Sequence, residues 1–197
     1  MPTESTRARL MAETRDRILD VALEVLGDNP EAGMGDIASA AGVVRRTVYG
    51  HFPSRLDLIR TLTERAVTEM TAVLTEVDAS EADAAWAQFV ARVWPVTHRY
   101  RVLLALRRGE YGEAIHGLLG PLDQLLADLV ERGQRDDVFA RHLPADALSQ
   151  LAYGVLFAVA DNTRSNKPLD ARAATITTLL MLGVPEPRAI TLTDDQH

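Results

Sequence analysis

The stretch Ala40–Leu58, AAGVVRRTVYGHFPSRLDL, limits the fold more than any other part of this 197-residue chain. A short apolar-faced segment starts at Gly33, turns Ile37, Ala38 and Ala41 inward, and stops at Gly42. A second runs from Val44 to Phe52, where Pro53 breaks it. Within it Val48 and Phe52 share one face at i, i+4, and Arg45, Arg46, Thr47 and Tyr49 are left mostly outward. Ser54 then opens a third segment, with Asp57 completing the S-x-x-D pattern of a capping box. Two short helices meeting at a glycine, the second edged with arginines, have the spacing of a helix-turn-helix.

The rest of the chain keeps the helical period. Ile18, Leu19, Ala22, Val25 and Leu26 stripe a helix expected over 9–26, after a disordered 1–8, and Gly27-Asp28-Asn29-Pro30 ends it. Leu56, Ile59, Thr63, Ala66, Met70, Val73 and Val77 carry the helix that begins at Ser54. Another is expected over 84–108, kinked or divided at Pro95. Residues 109–117 read as looser chain. Leu118, Leu122, Leu125, Leu126, Leu129 and Val130 form an amphipathic helix closed by Gly133, and 134–144 reads as a loop. The helix over 145–162 has little polar face, so it must be buried; in a chain this short that points to a subunit interface. A last helix is expected over 170–182 and a loose tail over 185–197. Nothing alternates with a period of two, so the fold class is all-α.

Composition bounds the function. With 47% hydrophobic residues the chain can bury a core, and with no cysteine it has neither disulfides nor thiolate metal sites. The polar N-terminus lacks a signal-peptide core. No uncharged apolar run approaches the roughly 20 residues a membrane span needs. A soluble, cytoplasmic protein is expected. The net charge of −7 argues against a non-specific architectural DNA binder. Salt screens charge beyond about 8–10 Å, however, so the local surface decides. Between Gly42 and Leu56 the chain has Arg45, Arg46 and Arg55 and no acid.

A helix fits the major groove, and its first residues reach base edges when a preceding helix crosses the backbone. Arg45 and Arg46 occupy that first turn, and arginine pairs bidentately with guanine. Thr47, Tyr49 and His51 suit phosphate contacts, which position without specifying. Arg55, beside the free amides of the next helix start, offers another.

The segment from about Thr14 to Ile59 closely resembles the N-terminal domain of the TetR family of transcriptional repressors. The matching residues are Ile18-Leu-x-x-Ala22, Asp36-Ile-Ala-x-x-Ala-Gly-Val43, Thr47-Val-Tyr-x-His-Phe52 and Ser54-Arg-x-x-Leu58. The resemblance implies about nine helices: a three-helix helix-turn-helix DNA-binding domain over 9–53 and a helical ligand-binding and dimerisation domain over 54–184. It also implies a homodimer on a palindromic operator in double-stranded DNA, released when a small-molecule effector binds. By position, Arg45, Arg46 and Thr47 should face bases, and Tyr49, His51 and Arg55 phosphates. Two residues depart from the family pattern. Gly33 and Val44 stand where a threonine and a serine often cap the second and third helices, and such a cap is worth about 1 kcal/mol.

For the effector, Trp86, Phe89, Trp94, Tyr100 and Tyr111 are the aromatic candidates and His98, Arg101 and His116 the polar ones, each weighed against a place in the core. A largely apolar pocket would suit a hydrophobic or amphipathic molecule. Leu148, Leu151, Val155, Leu156, Val159, Ile176, Leu179 and Leu180 are the candidates for the dimer interface. Glu110, Glu113 and His116 fall at i, i+3, i+6, but a solvated helix end explains them better than a metal; no metal or cofactor is expected. The chain lacks G-x-S-x-G, a P-loop, H-E-x-x-H and a cysteine nucleophile, so an enzyme is not expected either. An activator on the same fold is the alternative to a repressor.

Overall fold

The computed structural model describes residues 4–160 and 169–196. They form ten α-helices and no strand: α1 (Glu4–Asp28), α2 (Met34–Ala40), α3 (Arg45–His51), α4 (Arg55–Thr75), α5 (Ala82–Arg99), α6 (Val102–Arg107), α7 (Gly112–Arg135), α8 (Ala145–Ala160), α9 (Ala171–Met181) and α10 (Glu186–Asp194). The chain divides into two packing units. One holds residues up to Arg65 together with Val102–His116; the other holds Ala66–Arg101 and the chain from Gly117 onward. The second expected domain began at 54, where α4 starts; the packing units part within α4 and return α6 and the start of α7 to the first unit.

Much of the core of the first unit is the apolar stripe read from the sequence: Ile18, Leu19, Ala22 and Leu26 of α1, Ile37 of α2, Val48 of α3, Phe52, and Ile59 of α4 are buried. Leu58 and Leu62 of α4, outside that reading, are buried as well, while Val25 and Leu56 of the expected stripes are only half-buried. The turn between α2 and α3 has a definite hydrogen-bond logic. Gly42 N–H donates to Ser39 O at 3.2 Å and Val43 N–H to Ala38 O at 3.0 Å. This Schellman pair needs a left-handed residue, and Gly42 has φ 65°. At the missing threonine cap, Asp36 compensates: its Oδ2 accepts from Gly33 N–H at 2.8 Å. Val44 leaves the start of α3 without a side-chain cap.

At Ser54 the box is formed differently from expectation. Ser54 Oγ accepts from Asp57 N–H at 3.1 Å, and the Ser54 hydroxyl donates in turn to Asp57 Oδ2 at 2.7 Å.

In the second unit α9 packs against α5, α8 and α10. Trp86 and Phe89 of α5 are buried, and Trp86 Nε1 donates to Thr178 Oγ1 of α9 at 3.0 Å. Tyr153 and Phe157 of α8 meet edge to face at 4.7 Å between ring centroids.

Several expectations are corrected. Helix α1 starts at Glu4, not at residue 9. After Ser5 and Thr6 its early turns, Arg7 to Glu13, consist of good helix formers, with Arg9 Nε 3.4 Å from Glu13 Oε1 one turn on. Pro95 does not divide α5. It lies on the exposed side, where the carbonyl it leaves free can bond to water, and the break comes at Tyr100 instead. The looser stretch is helical from Gly112, and α7 runs through Pro121. The expected loose tail is α10. Gly183 (φ 91°) ends α9 with a second Schellman pair, Gly183 N–H to Leu180 O and Val184 N–H to Leu179 O, both 3.0 Å. Pro185 then begins α10, and Ala189 and Leu192 bury themselves. Arg188 of α10 donates to the buried Asp83 carboxylate at 2.9 Å and pairs with Glu81. Its pKa is raised, chiefly by the Asp83 hydrogen bond.

Residues 161 and 162 of the helix expected over 145–162 lie outside the described residues. The described part is not buried all round, since Leu151 is 52% exposed.

Candidate nucleic-acid interface and effector region

Helix α3 is only seven residues long, and its two faces are cleanly separated. Val48 and Phe52 are 0% and 1% exposed and hold the helix to the unit. Arg45, Arg46 and Tyr49 are exposed on the other side, with Thr47 and His51 half-buried. Arg15 of α1 lies over the Phe52 ring at 5.3 Å, a support that the sequence gives no signal for.

Arg45 and Tyr49, one turn apart, form a pair. Arg45 Nη2 donates to the Tyr49 hydroxyl at 3.2 Å, and the guanidinium sits 5.4 Å from the ring centroid. The hydroxyl raises the Arg45 pKa further, first through that hydrogen bond. Because the phenol oxygen accepts from Arg45, its own proton stays available to an outside acceptor. Arg46 has no polar partner among the described residues, so all its donors face solvent.

Arg55 is not a free phosphate contact, as the sequence suggested. Its side chain is only 18% exposed and turned inward. Nη1 donates to the Tyr111 hydroxyl at 2.9 Å, Nη2 donates to the Pro30 carbonyl, and Glu110 Oε1 lies 3.8 Å away. The guanidinium also stacks 5.1 Å from the Tyr111 centroid. Burial raises the Tyr111 pKa and the Glu110 hydrogen bond adds to it, while Arg55 pulls the other way. Arg55 therefore ties the start of α4 to the α1–α2 loop and to the turn before α7. A bare arginine after a serine cap reads as exposed; only the fold supplies the tyrosine 56 residues later.

The expected effector residues stand in different settings. Trp86 and Phe89 are core, Trp94 is half-buried, and His98 is exposed. Half-buried Arg101 donates back to His98 O at 3.3 Å. Tyr111 and His116 belong to the other unit. Tyr111 is engaged with Arg55, and His116 Nδ1 lies 3.2 Å from Arg107 Nη2. Glu110, Glu113 and His116 do not converge: among the described residues no three acidic or histidine side chains form a group able to hold a metal. A cavity of about 270 Å³ does occur in the second unit, lined by residues that were not among the effector candidates, among them Leu74, Leu125, Leu129 and Arg132. An apolar helix seam gives no sequence sign that it stands open.

The interface candidates split in two. Leu148, Leu156 and Leu179 are at most 1% exposed, and lie in the core of their own unit, unable to meet a partner. Leu151 and Leu180 are exposed, and Val155, Val159 and Ile176 half-exposed. Met181, Gly154 and Ala158, also exposed, complete an outward surface that the sequence reading missed.

Residues 18–62 match the family described as bacterial regulatory proteins, tetR family. Over 78 residues the chain is 41% identical to the HTH-type transcriptional repressor LfrR of Mycolicibacterium smegmatis, covering 40% of this chain and 41% of that one. The match thus spans less than half the length of this curated relative. Among solved structures, the fatty acid degradation regulator FadR from Bacillus halodurans has a TM-score of 0.70 at 23% identity, covering 86% of this chain and 95% of its own. LfrR from Mycobacterium smegmatis, in complex with proflavine, has a TM-score of 0.68 at 24% identity, covering 89% of this chain and 96% of its own. At these identities the likeness carries the fold: a helix-turn-helix followed by a helical C-terminal domain. No described helix is long and apolar enough to cross a membrane.

Proposed function

We propose that this chain, whose residues 18–62 match the tetR family of bacterial regulatory proteins, is a cytoplasmic, dimeric transcriptional repressor that leaves a palindromic operator when a small molecule binds its C-terminal helices. The observation that carries this reading is the face of α3. Arg45, Arg46 and Tyr49 stand exposed on a helix anchored by Val48 and Phe52.

Within that reading the roles differ. Arg46, with every donor free, is the base reader, suited to the paired acceptors of guanine. Arg45 and Tyr49 act together, the arginine holding the phenol so that its proton meets a phosphate oxygen. Thr47 and His51 add backbone contacts, which fix register. Arg55 takes no phosphate; it keeps α4 in place behind the reading helix.

The outward faces of α8 and α9 support dimerisation. Leu151, Val155 and Ala158 recur at helical spacing on α8, and Leu180 and Met181 lie exposed on α9. Small Gly154 and Ala158 allow a second copy to approach closely. Two reading helices must sit roughly 34–36 Å apart to enter successive major grooves. An effector acts by favouring a dimer with another spacing, a coupling of typically about 1–3 kcal/mol. That LfrR is solved with proflavine supports a small-molecule effector here.

The test is selection from randomised DNA duplexes with purified protein, before and after refolding from denaturant to strip any bound ligand. Enrichment of a palindrome is expected. If neither preparation enriches any sequence at low salt, the reading falls.

A further inference from the structure

The end of α4, the chain after it and the last turns of α7 leave the cavity of about 270 Å³ noted above, wholly within the second unit. Its apolar walls are Leu74, Val77, Leu125 and Leu129, and its charged side chains are Asp128, Arg132 and Arg135. Two of these three are already engaged. Gln124 Nε2 donates to Asp128 Oδ1 at 2.8 Å, and Arg135 Nη1 lies 3.8 Å from Glu131 Oε2. Arg132 is different. Its Nε is one of four buried side-chain polar atoms without a hydrogen-bond partner among the described residues, with Arg55 Nε, Thr71 Oγ1 and Thr97 Oγ1, and of these it alone borders this cavity. No described residue offers its guanidinium an acceptor, and a buried charged donor left unsatisfied carries a desolvation penalty that an acceptor from outside the chain relieves.

We propose that this cavity binds a small carboxylate with an apolar body, its two oxygens taken side-on by Nε and a terminal nitrogen of Arg132. The planar guanidinium fork matches a carboxylate in this way, and the leucine and valine walls take the body. A phosphate monoester fits less well. It carries more charge, Asp128 stands nearby, and Arg135, the other cation, is already committed to Glu131. At about 30 Å³ per water the space holds about nine waters, which corresponds to a ligand of about ten non-hydrogen atoms. The site deepens the effector-domain reading and rests on it for any consequence at DNA; the binding itself does not depend on it.

Isothermal titration of the full chain with octanoate and with benzoate, each set against its alcohol (1-octanol, benzyl alcohol), tests the assignment. At least one carboxylate should bind one per chain, about tenfold or more tighter than its alcohol. Arg132→Gln should remove that preference, leaving the alcohol's affinity unchanged, and Leu125→Trp, which fills the cavity, should abolish binding of both. If neither carboxylate outbinds its alcohol, or if both variants bind as the unaltered chain does, the inference is overturned. Duplex selection with the same preparations separates the two readings. A palindrome selected equally by the unaltered chain and by Arg132→Gln shows that the variant is folded. If the unaltered chain selects no sequence, the regulator reading fails whatever the titration gives.

Discussion

Helix α3 and helix α8 present opposite problems to a reader of the sequence, and their outcomes differ accordingly. On α3 the apolar residues occupy one face and the polar ones the other. Burial therefore follows the pattern: Val48 inside, Arg45, Arg46 and Tyr49 outside. On α8 nearly every residue is apolar. Hydrophobicity says that Leu148, Leu151, Val155 and Leu156 all leave water, but not whether they enter their own core or meet a second chain. The structure divides them, with Leu156 at 1% and Leu151 at 52% exposure. A polar face carries the orientation of a helix; an apolar helix has lost that information.

The largest expected effect sharpens this division. Leu156→Asp buries an unpaired carboxylate in the core and should destabilise the chain by about 4 kcal/mol or more, seen as lost cooperative melting. Leu151→Asp should keep its helical circular dichroism and sediment as a monomer with weakened operator binding. If the two variants behave alike, α8 does not have the two faces described.

Next comes Arg55. Removing its charge-assisted bonds to Tyr111 and Pro30 in Arg55→Ala should cost about 2–3 kcal/mol in urea unfolding. The salt dependence of DNA binding should not change, because no phosphate contact is lost. A slope smaller by about one ion would instead restore Arg55 to the phosphates.

Arg46→Ala should relax preference at one operator position per half-site, worth about 1–3 kcal/mol of discrimination. Equal loss on every sequence would make Arg46 a phosphate contact. The smallest effect is at the start of α4. Ser54→Ala should cost about 1 kcal/mol, while Ser54→Thr, which keeps both the acceptor oxygen and the hydroxyl proton given to Asp57, should recover most of it. No difference between the two in thermal melting would remove the cap from the account.

The reading helix was legible because local signals coincide there. Gly42 permits the left-handed turn, Pro53 ends α3, and a two-residue apolar rail orients it. The same signals at Gly183 and Pro185 were read as the end of structure when they mark a turn into α10. A Schellman turn looks alike whether the chain then departs or packs, and what decides is distant: Asp83 waiting for Arg188. The inward turn of Arg55 has no local signal for the same reason, its partner Tyr111 lying far along the chain.

By itself, then, the sequence determined the all-α class, the buried stripes of α1 to α4 and the exposed arginines of α3. Helical period, glycine and proline geometry and capping are properties of neighbouring residues. Tertiary structure alone decided which face of α8 is core, that α10 packs, that Arg55 is held by Tyr111, and that Arg132 borders an open cavity without a partner. Each of these depends on contacts between residues far apart in the chain, and local sequence carries no energy term for a contact it cannot see.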